Sequence, residues 1–294
     1  MGVAATAVAG NSAGRRGGVS QTGRLRSPAL VGLAGVGATG ERPGAAWATL
    51  ENYAALISDR TPVRTLRVPL PAGDVRAVSD RIISMSYSAS VVFVVGLDPL
   101  DSAAVQHRAA DYGGPLVITE IDVVSVALAA AVLAMLRDRR PAARRGGIVV
   151  IDIERAPRLG PLLFALSGRS VTSWHERDAA AGSLCAALGP DDVLVDLAGS
   201  APSDIAAGRT VTMPTVPFDY GALALPGLLS ALGRCSKPVL TLELLASCAR
   251  ALALLTPAGA VLPDLRQRLL VPAVARHVAR SLGERVQPGS ADGC

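Results

Sequence analysis

Gly35-Val36-Gly37-Ala38-Thr39-Gly40 spells G-x-G-x-x-G, the spacing with which a strand-to-helix turn brings backbone amides against the pyrophosphate of a dinucleotide. An apolar run over residues 29–34 precedes it, and Asp59 stands about twenty positions on, where a carboxylate would take a ribose hydroxyl. The chemistry expected of this set is NAD(P) binding, with Gly35, Gly37, Gly40 and Asp59 touching the cofactor. Against it, Pro43-Gly44 fall where the phosphate-binding helix should already be running, and an interior proline costs about 3 kcal/mol. The plainer reading of the same glycines is a loop.

Three further side chains could carry acid–base or ligand chemistry. Glu120 and Asp122 lie two apart at a strand-to-helix junction; in extended backbone they would share a face, whereas at a helix N-terminus they would act as favourable capping charges. His175, followed by Glu176, ends the strand expected over residues 170–174, a place where side chains read a ribose or simply meet water. Glu120, Asp122 and His175 are the catalytic candidates. His107 and His277 are isolated and read as surface residues. The four cysteines show no CxxC spacing, so neither a zinc site nor a disulfide framework is expected, and no metal-ligand set is assigned. No G-x-S-x-G elbow supports serine catalysis.

A second strand, residues 148–152, runs into Glu154-Arg155-Ala156-Pro157-Arg158. A dinucleotide fold needs glycines there, so that the backbone can approach the pyrophosphate. Here the turn carries bulk and charge instead, and Asp152 and Glu154 would repel phosphates.

The elements that must hold these groups follow from composition and periodicity. The 294 residues suffice for one large or two moderate domains. Half are hydrophobic but only 3% aromatic, so the core is built from Ala, Val and Leu. Short strands (residues 53–58, 91–95, 116–119) alternate with a helix over 73–85. A long helix over 123–140 follows, then strands at 148–152, 170–174 and 193–197 separated by helices at 159–166 and 179–188, and finally helices at 240–255 and 271–282. Strict alternation predicts right-handed crossovers and an α/β fold: a Rossmann-like doubly wound parallel sheet with a smaller N-terminal α/β domain. The expected divisions are a tail to residue 27, an N-terminal domain over 28–122, a Rossmann-like domain over 123–265, a docking helix over 266–284 and a tail over 285–294.

Charge and hydropathy narrow the partners. The net charge is +5 and the pI about 9.4, but the arginines are scattered with almost no aromatic residues between them to stack on bases, so nucleic acid is not an expected partner. The longest apolar run, residues 123–136, is shorter than the roughly 20 residues of a bilayer span, so no membrane association is expected. No apolar segment follows Arg15 and Arg16, which predicts a cytoplasmic protein.

Several segments also resemble bacterial malic enzymes. The stretch 222–232, Thr241-Leu242-Glu243-Leu244 with its Ala/Leu helix, Leu262-Pro263-Asp264 and residues 270–275 look like that family's C-terminal part in order and spacing. Residues 193–197 are similar to a later Rossmann strand of the family, 115–136 to the stretch leading into its long Ala/Leu helix, and 52–63 to its strand and Asp-Gly-Thr-Ala-Val turn. The resemblance implies a two-domain oxidoreductase that uses a nicotinamide cofactor and a divalent metal to oxidise and decarboxylate malate, and that dimerises.

The same alignment places few of the family's working residues. Its Tyr-Thr-Pro-Gly-Val loop falls on Gly32-Leu33-Ala34-Gly35-Val36, and the segment with its catalytic lysine falls in a deletion between Val63 and Leu66. Its Leu-Glu-Asp-Ile falls on Phe93-Val94-Val95-Gly96, and valine cannot ligate Mg²⁺ or Mn²⁺. Its His-Asp-Asp-Gln-His-Gly-Thr falls on residues 118–124, where Glu120 keeps one carboxylate at a ligand position, and its substrate-contacting asparagine pair falls on Tyr220-Gly221.

The expected function is a malic-enzyme-like protein that has lost malate chemistry, has no required cofactor, and acts by binding or association, as a homodimer or with an active relative. The alternatives are an enzyme of changed function acting on a small carboxylic acid in the interdomain cleft, or an NAD(P)-dependent oxidoreductase.

Overall fold

Val91–Val95 contains no polar side chain, and all five residues are buried. Such a run can sit only in a sheet covered on both faces. The computed structural model, which describes residues 30–36, 44–71, 74–139, 146–175, 184, 188–201, 205, 207–235 and 238–283, places it there. The first sheet comprises β1 (Leu30–Val36), β2 (Arg64–Leu70), β3 (Val91–Val95) and β4 (Leu116–Thr119), parallel in the order β2-β1-β3-β4. Helices α1 (Gly44–Arg60), α2 (Val75–Ile83) and α3 (Pro99–Asp111) form its crossovers.

The second sheet repeats that order. β5 (Ile148–Ile151), β6 (Val171–Trp174), β7 (Val193–Asp196) and β8 (Thr210–Thr212) run parallel as β6-β5-β7-β8, with α5 (Leu159–Ser167) between the first two. The fold is therefore Rossmann-like α/β, with a strand-order reversal beside β1 in one sheet and beside β5 in the other. Ligands of doubly wound sheets bind outside the carboxyl ends of the strands at such reversals.

Between the sheets runs α4 (Glu120–Asp138), most of whose residues from Asp122 to Leu136 are buried. A helix apolar on every side must be surrounded, and α4 is packed by α5, α6 (Pro217–Leu232) and α7 (Leu242–Leu255). The last helix, α8 (Leu270–Gly283), docks on α6 and α7 through Leu270, Val274 and Val278. Strand alternation divides the core: Val91, Phe93 and Val95 face the α4 side, and Val92 and Val94 face α2 and α3. Among the described residues no helix is long and apolar enough to cross a membrane.

Two sequence expectations are corrected. Residues 53–58 belong to helix α1, not to a strand, so Asp59 lies in the last turn of that helix, paired with Arg60 at 2.8 Å. Gly32 to Val36, aligned above with a family loop, form the second strand from the sheet edge, with Gly35 in register between Pro69 and Val95. Gly37 and Gly40, the tails over 1–27 and 285–294, and nearly all of the helix expected over 179–188 lie outside the described residues.

Candidate functional site between the two sheets

β4 ends where α4 begins, and Thr119 is the N-cap: its backbone N–H and hydroxyl both donate to Asp122 Oδ2, at 2.8 and 2.9 Å. This capping box winds residues 120–122 into a helical turn. Glu120 and Asp122, two apart in a helix, point away from one another instead of sharing a face, and each has acquired its own partners.

Glu120 turns toward α1 and α6. The Tyr53 hydroxyl donates to its Oε1 at 3.0 Å, and Tyr53 itself is fully buried. Its ring lies edge-on to Phe93 (centroids 4.9 Å) and to Phe218 (4.7 Å), so three of the few aromatic side chains cluster, one of them reaching the carboxylate. Gly221 makes room: a Cβ there would collide with the Tyr53 hydroxyl and stand 3.1 Å from Val123. Burial raises the Glu120 carboxyl above its ordinary range, the tyrosine hydrogen bond opposing it. Burial and then the Glu120 charge raise the Tyr53 phenol. At neutral pH this phenol is a donor held in place.

Asp122 is buried and turns toward α3 and the second sheet. Besides its cap bonds it accepts Gln106 Nε2 at 2.6 Å and pairs with Arg158 Nε at 3.1 Å, while Arg158 Nη2 donates to Gln106 Oε1 at 2.7 Å. Arg158 comes from the turn after β5, so the triangle Gln106–Asp122–Arg158 ties the two sheets together. Beside it lies a cavity of about 30 Å³, bordered by Ser102, whose buried hydroxyl lacks a partner among the described residues. That space admits a water-sized group and nothing as large as an organic acid.

His175 belongs to a third cluster, at the carboxyl edge of the second sheet. Its Nδ1 lies 3.3 Å from Glu154 Oε2 and 3.5 Å from Asp152 Oδ1. Asp152 follows β5 with left-handed backbone (φ 53°). Thus Glu120 and Asp122 are neighbours with diverging side chains, and His175 shares neither one's partners.

Sequence reasoning passed over Asp196 at the end of β7, which is 2% exposed. Its carboxylate accepts the backbone N–H groups of Ala198, Gly199, Ser200 and Ala201 at 2.8–3.3 Å. An acid closing an apolar strand before Leu-Ala-Gly-Ser was the available signal. This anion receives the amides that a Rossmann edge would otherwise turn outward.

The residues at the implied cofactor and metal positions do not fit those groups. In the turn after β5 the N–H groups of Arg155, Ala156 and Leu159 all bond to carbonyls of the same turn, Asp152, Ile153 and Ala156, which leaves them unavailable to a pyrophosphate. Phe93, Val94 and Val95 are buried apolar side chains. Among the described residues no three His, Cys, Asp or Glu side chains are grouped to hold a metal ion.

No protein-family model matches the sequence, and no curated protein is similar to it at a significant level. Solved structures do match. An NAD-dependent malic enzyme from Thermotoga maritima superposes with a TM-score of 0.67 at 14% identity, over 85% of this chain and 84% of the other. A malic enzyme from Entamoeba histolytica gives 0.70 at 13%, over 87% and 70%, and one from Pyrococcus horikoshii 0.66 at 10%, over 87% and 77%. The two parallel sheets, the helix wedged between them and these superpositions give the chain a malic-enzyme-like fold.

Proposed function

We propose that this chain is a malic-enzyme-like protein that does not oxidise and decarboxylate malate and acts by binding or association, with a second copy of itself or with an active relative. The observation that carries this reading is the Tyr53–Glu120 pair. The one carboxylate at a family ligand position is engaged by a phenol whose ring packs on Phe93 and Phe218, where a divalent ion would require several oxygen donors. Loss of metal and of general acid–base groups together removes many kcal/mol of transition-state stabilisation, since acid–base catalysis alone contributes about 10²–10⁴-fold.

The closed turn after β5 supports the further proposal that no nicotinamide cofactor is required. An enzyme of changed function acting on a small carboxylic acid would need Glu120, Asp122 and His175 to face one ligand, and their separate partners speak against it. The deciding experiment incubates purified protein with malate, NAD⁺ or NADP⁺ and Mn²⁺: no turnover is expected, and turnover at ordinary enzymatic rates would reject the proposal. Titrating the protein into NADH tests the cofactor separately. Fluorescence enhancement saturating below about 1 mM would show binding that this reading does not allow.

A further inference from the structure

A serine inside a helix commonly returns its hydroxyl to a carbonyl one turn back. Ser79, Ser125, Ser167, Ser230 and Ser281 all do so, donating to carbonyls four positions back at 2.6–3.2 Å. Ser102 on α3 does not, although the carbonyl of Asp98 stands at the same offset and accepts its backbone N–H at 2.8 Å. Ser102 is 3% exposed, and its Oγ is buried without a hydrogen-bond partner among the described residues. The residue borders the cavity of about 30 Å³ beside the Gln106–Asp122–Arg158 triangle. Leaving a buried hydroxyl unpaired is costly, so one that does not bond within its own helix needs a partner in that space.

Three segments wall the cavity: α3 with Ser102, the first turns of α4 with Asp122 and Ser125, and the turn after β5 with Arg158. Charge limits the occupant. A cation would face the Arg158 guanidinium and an anion the Asp122 carboxylate, and these two groups, 3.1 Å apart, already neutralise one another. A small neutral molecule that both donates and accepts suits the remaining atoms. Ser125 Oγ donates to the Ile121 carbonyl and keeps lone pairs to accept with. Asp122 Oδ1, which among the described residues meets Arg158 alone, also has lone pairs left. The volume is that of one water, about 30 Å³ in the liquid. We propose that this cavity binds a single water molecule, which accepts from Ser102 Oγ and donates to Asp122 Oδ1 and Ser125 Oγ. Held by three hydrogen bonds, as buried waters ordinarily are, it joins Ser102 to the tie between the two sheets. Such a bridge is enthalpically nearly equal to a direct hydrogen bond.

A high-resolution crystal structure of the native protein tests this, with one ordered water expected within about 2.6–3.2 Å of Ser102 Oγ. The same molecule can be counted in solution. Oxygen-17 relaxation dispersion reports waters that stay bound for longer than the protein tumbles. Ser102→Val, which removes the hydroxyl and fills the space with methyl groups, should hold one fewer of them than the native protein. Ser88→Val, at an exposed position outside the cavity, should hold the native number. A native crystal structure with no ordered solvent at Ser102 Oγ, or an unchanged count in folded Ser102→Val, would overturn the assignment. Anomalous scattering from the cavity after soaking in bromide or rubidium would do the same, because it would reveal an ion there. Should Ser102→Val fail to fold, the native crystal structure decides by itself.

Discussion

The Tyr53 hydroxyl and Glu120 Oε1, 67 positions apart in the chain, are joined by a 3.0 Å hydrogen bond, and the absence of a side chain at Gly221 is what allows the phenol to stand there. A methyl at position 221 would meet the hydroxyl of Tyr53 and, at 3.1 Å, both its ring carbon and Val123. Gly221→Ala should therefore destabilise the fold by about 1–3 kcal/mol through overpacking, despite the better helix propensity of alanine. Tyr53→Phe removes the colliding oxygen, so the double variant should recover part of that loss. Denaturant midpoints of the four proteins form the cycle, and additive effects would place the strain elsewhere.

Glu120 gives a pH dependence of definite sign. Its folded-state carboxyl lies above the ordinary 4.5, so the folded chain holds this proton more tightly than the unfolded one. The contribution is fully present below the unfolded value and is lost as pH rises through the window between the two. Glu120→Gln cannot ionise and still offers an oxygen to Tyr53. Its stability relative to the native sequence should therefore improve as pH rises above about 4.5 and level off once pH passes the raised folded-state value, as read from urea unfolding at several pH values. A difference independent of pH would show that Glu120 is not strained by burial.

Much of the scaffold is legible in the sequence, because strands such as Val91–Val95 and Ile148–Ile151 are unbroken apolar runs bounded by turns, Val193–Asp196 is apolar up to its closing acid, and α4 is long and Ala-rich. The failures have local causes. Gly32 and Gly35 make β1 look like a loop, yet the strand needs a small residue at position 32, where a Cβ would stand 2.6 Å from Met85. β2 carries Arg64, Arg67 and Pro69 because it is an edge strand. Tyr53 and its neighbours alternate in a way compatible with strand or helix, and the packing of α1 on α6 selects helix. The partners of Glu120 and Asp122 come from distant segments, so the candidate residues could be named but not their surroundings.

Arg158 is the second sheet's contribution to the buried Asp122 carboxylate, at 3.1 Å. Removing the guanidinium leaves Asp122 with its cap bonds and Gln106 but without its counter-charge, and Gln106 Oε1 loses a donor. Arg158→Ala should cost about 1.5–3 kcal/mol, the range for hydrogen bonds to charged groups. Arg155→Ala, whose carboxylate contact is 3.8 Å and exposed, should cost less than about 1 kcal/mol. Equal losses from the two, measured by thermal or urea unfolding, would deny the inter-sheet tie its role.

Asp196 organises the loop after β7 by accepting four successive backbone N–H groups through both carboxylate oxygens. Asn keeps the oxygen that can serve Ala198, Gly199 and Ser200, but sets an amide donor against the N–H of Ala201, or the reverse if it flips. Leaving a buried donor unsatisfied costs about 1–3 kcal/mol. Asp196→Asn should therefore lower stability by that amount and speed hydrogen exchange at residues 198–201, while exchange in β3, on the other sheet, changes only as far as global stability does. Unaltered protection at 198–201 would mean that the loop is held by its own packing and not by the carboxylate.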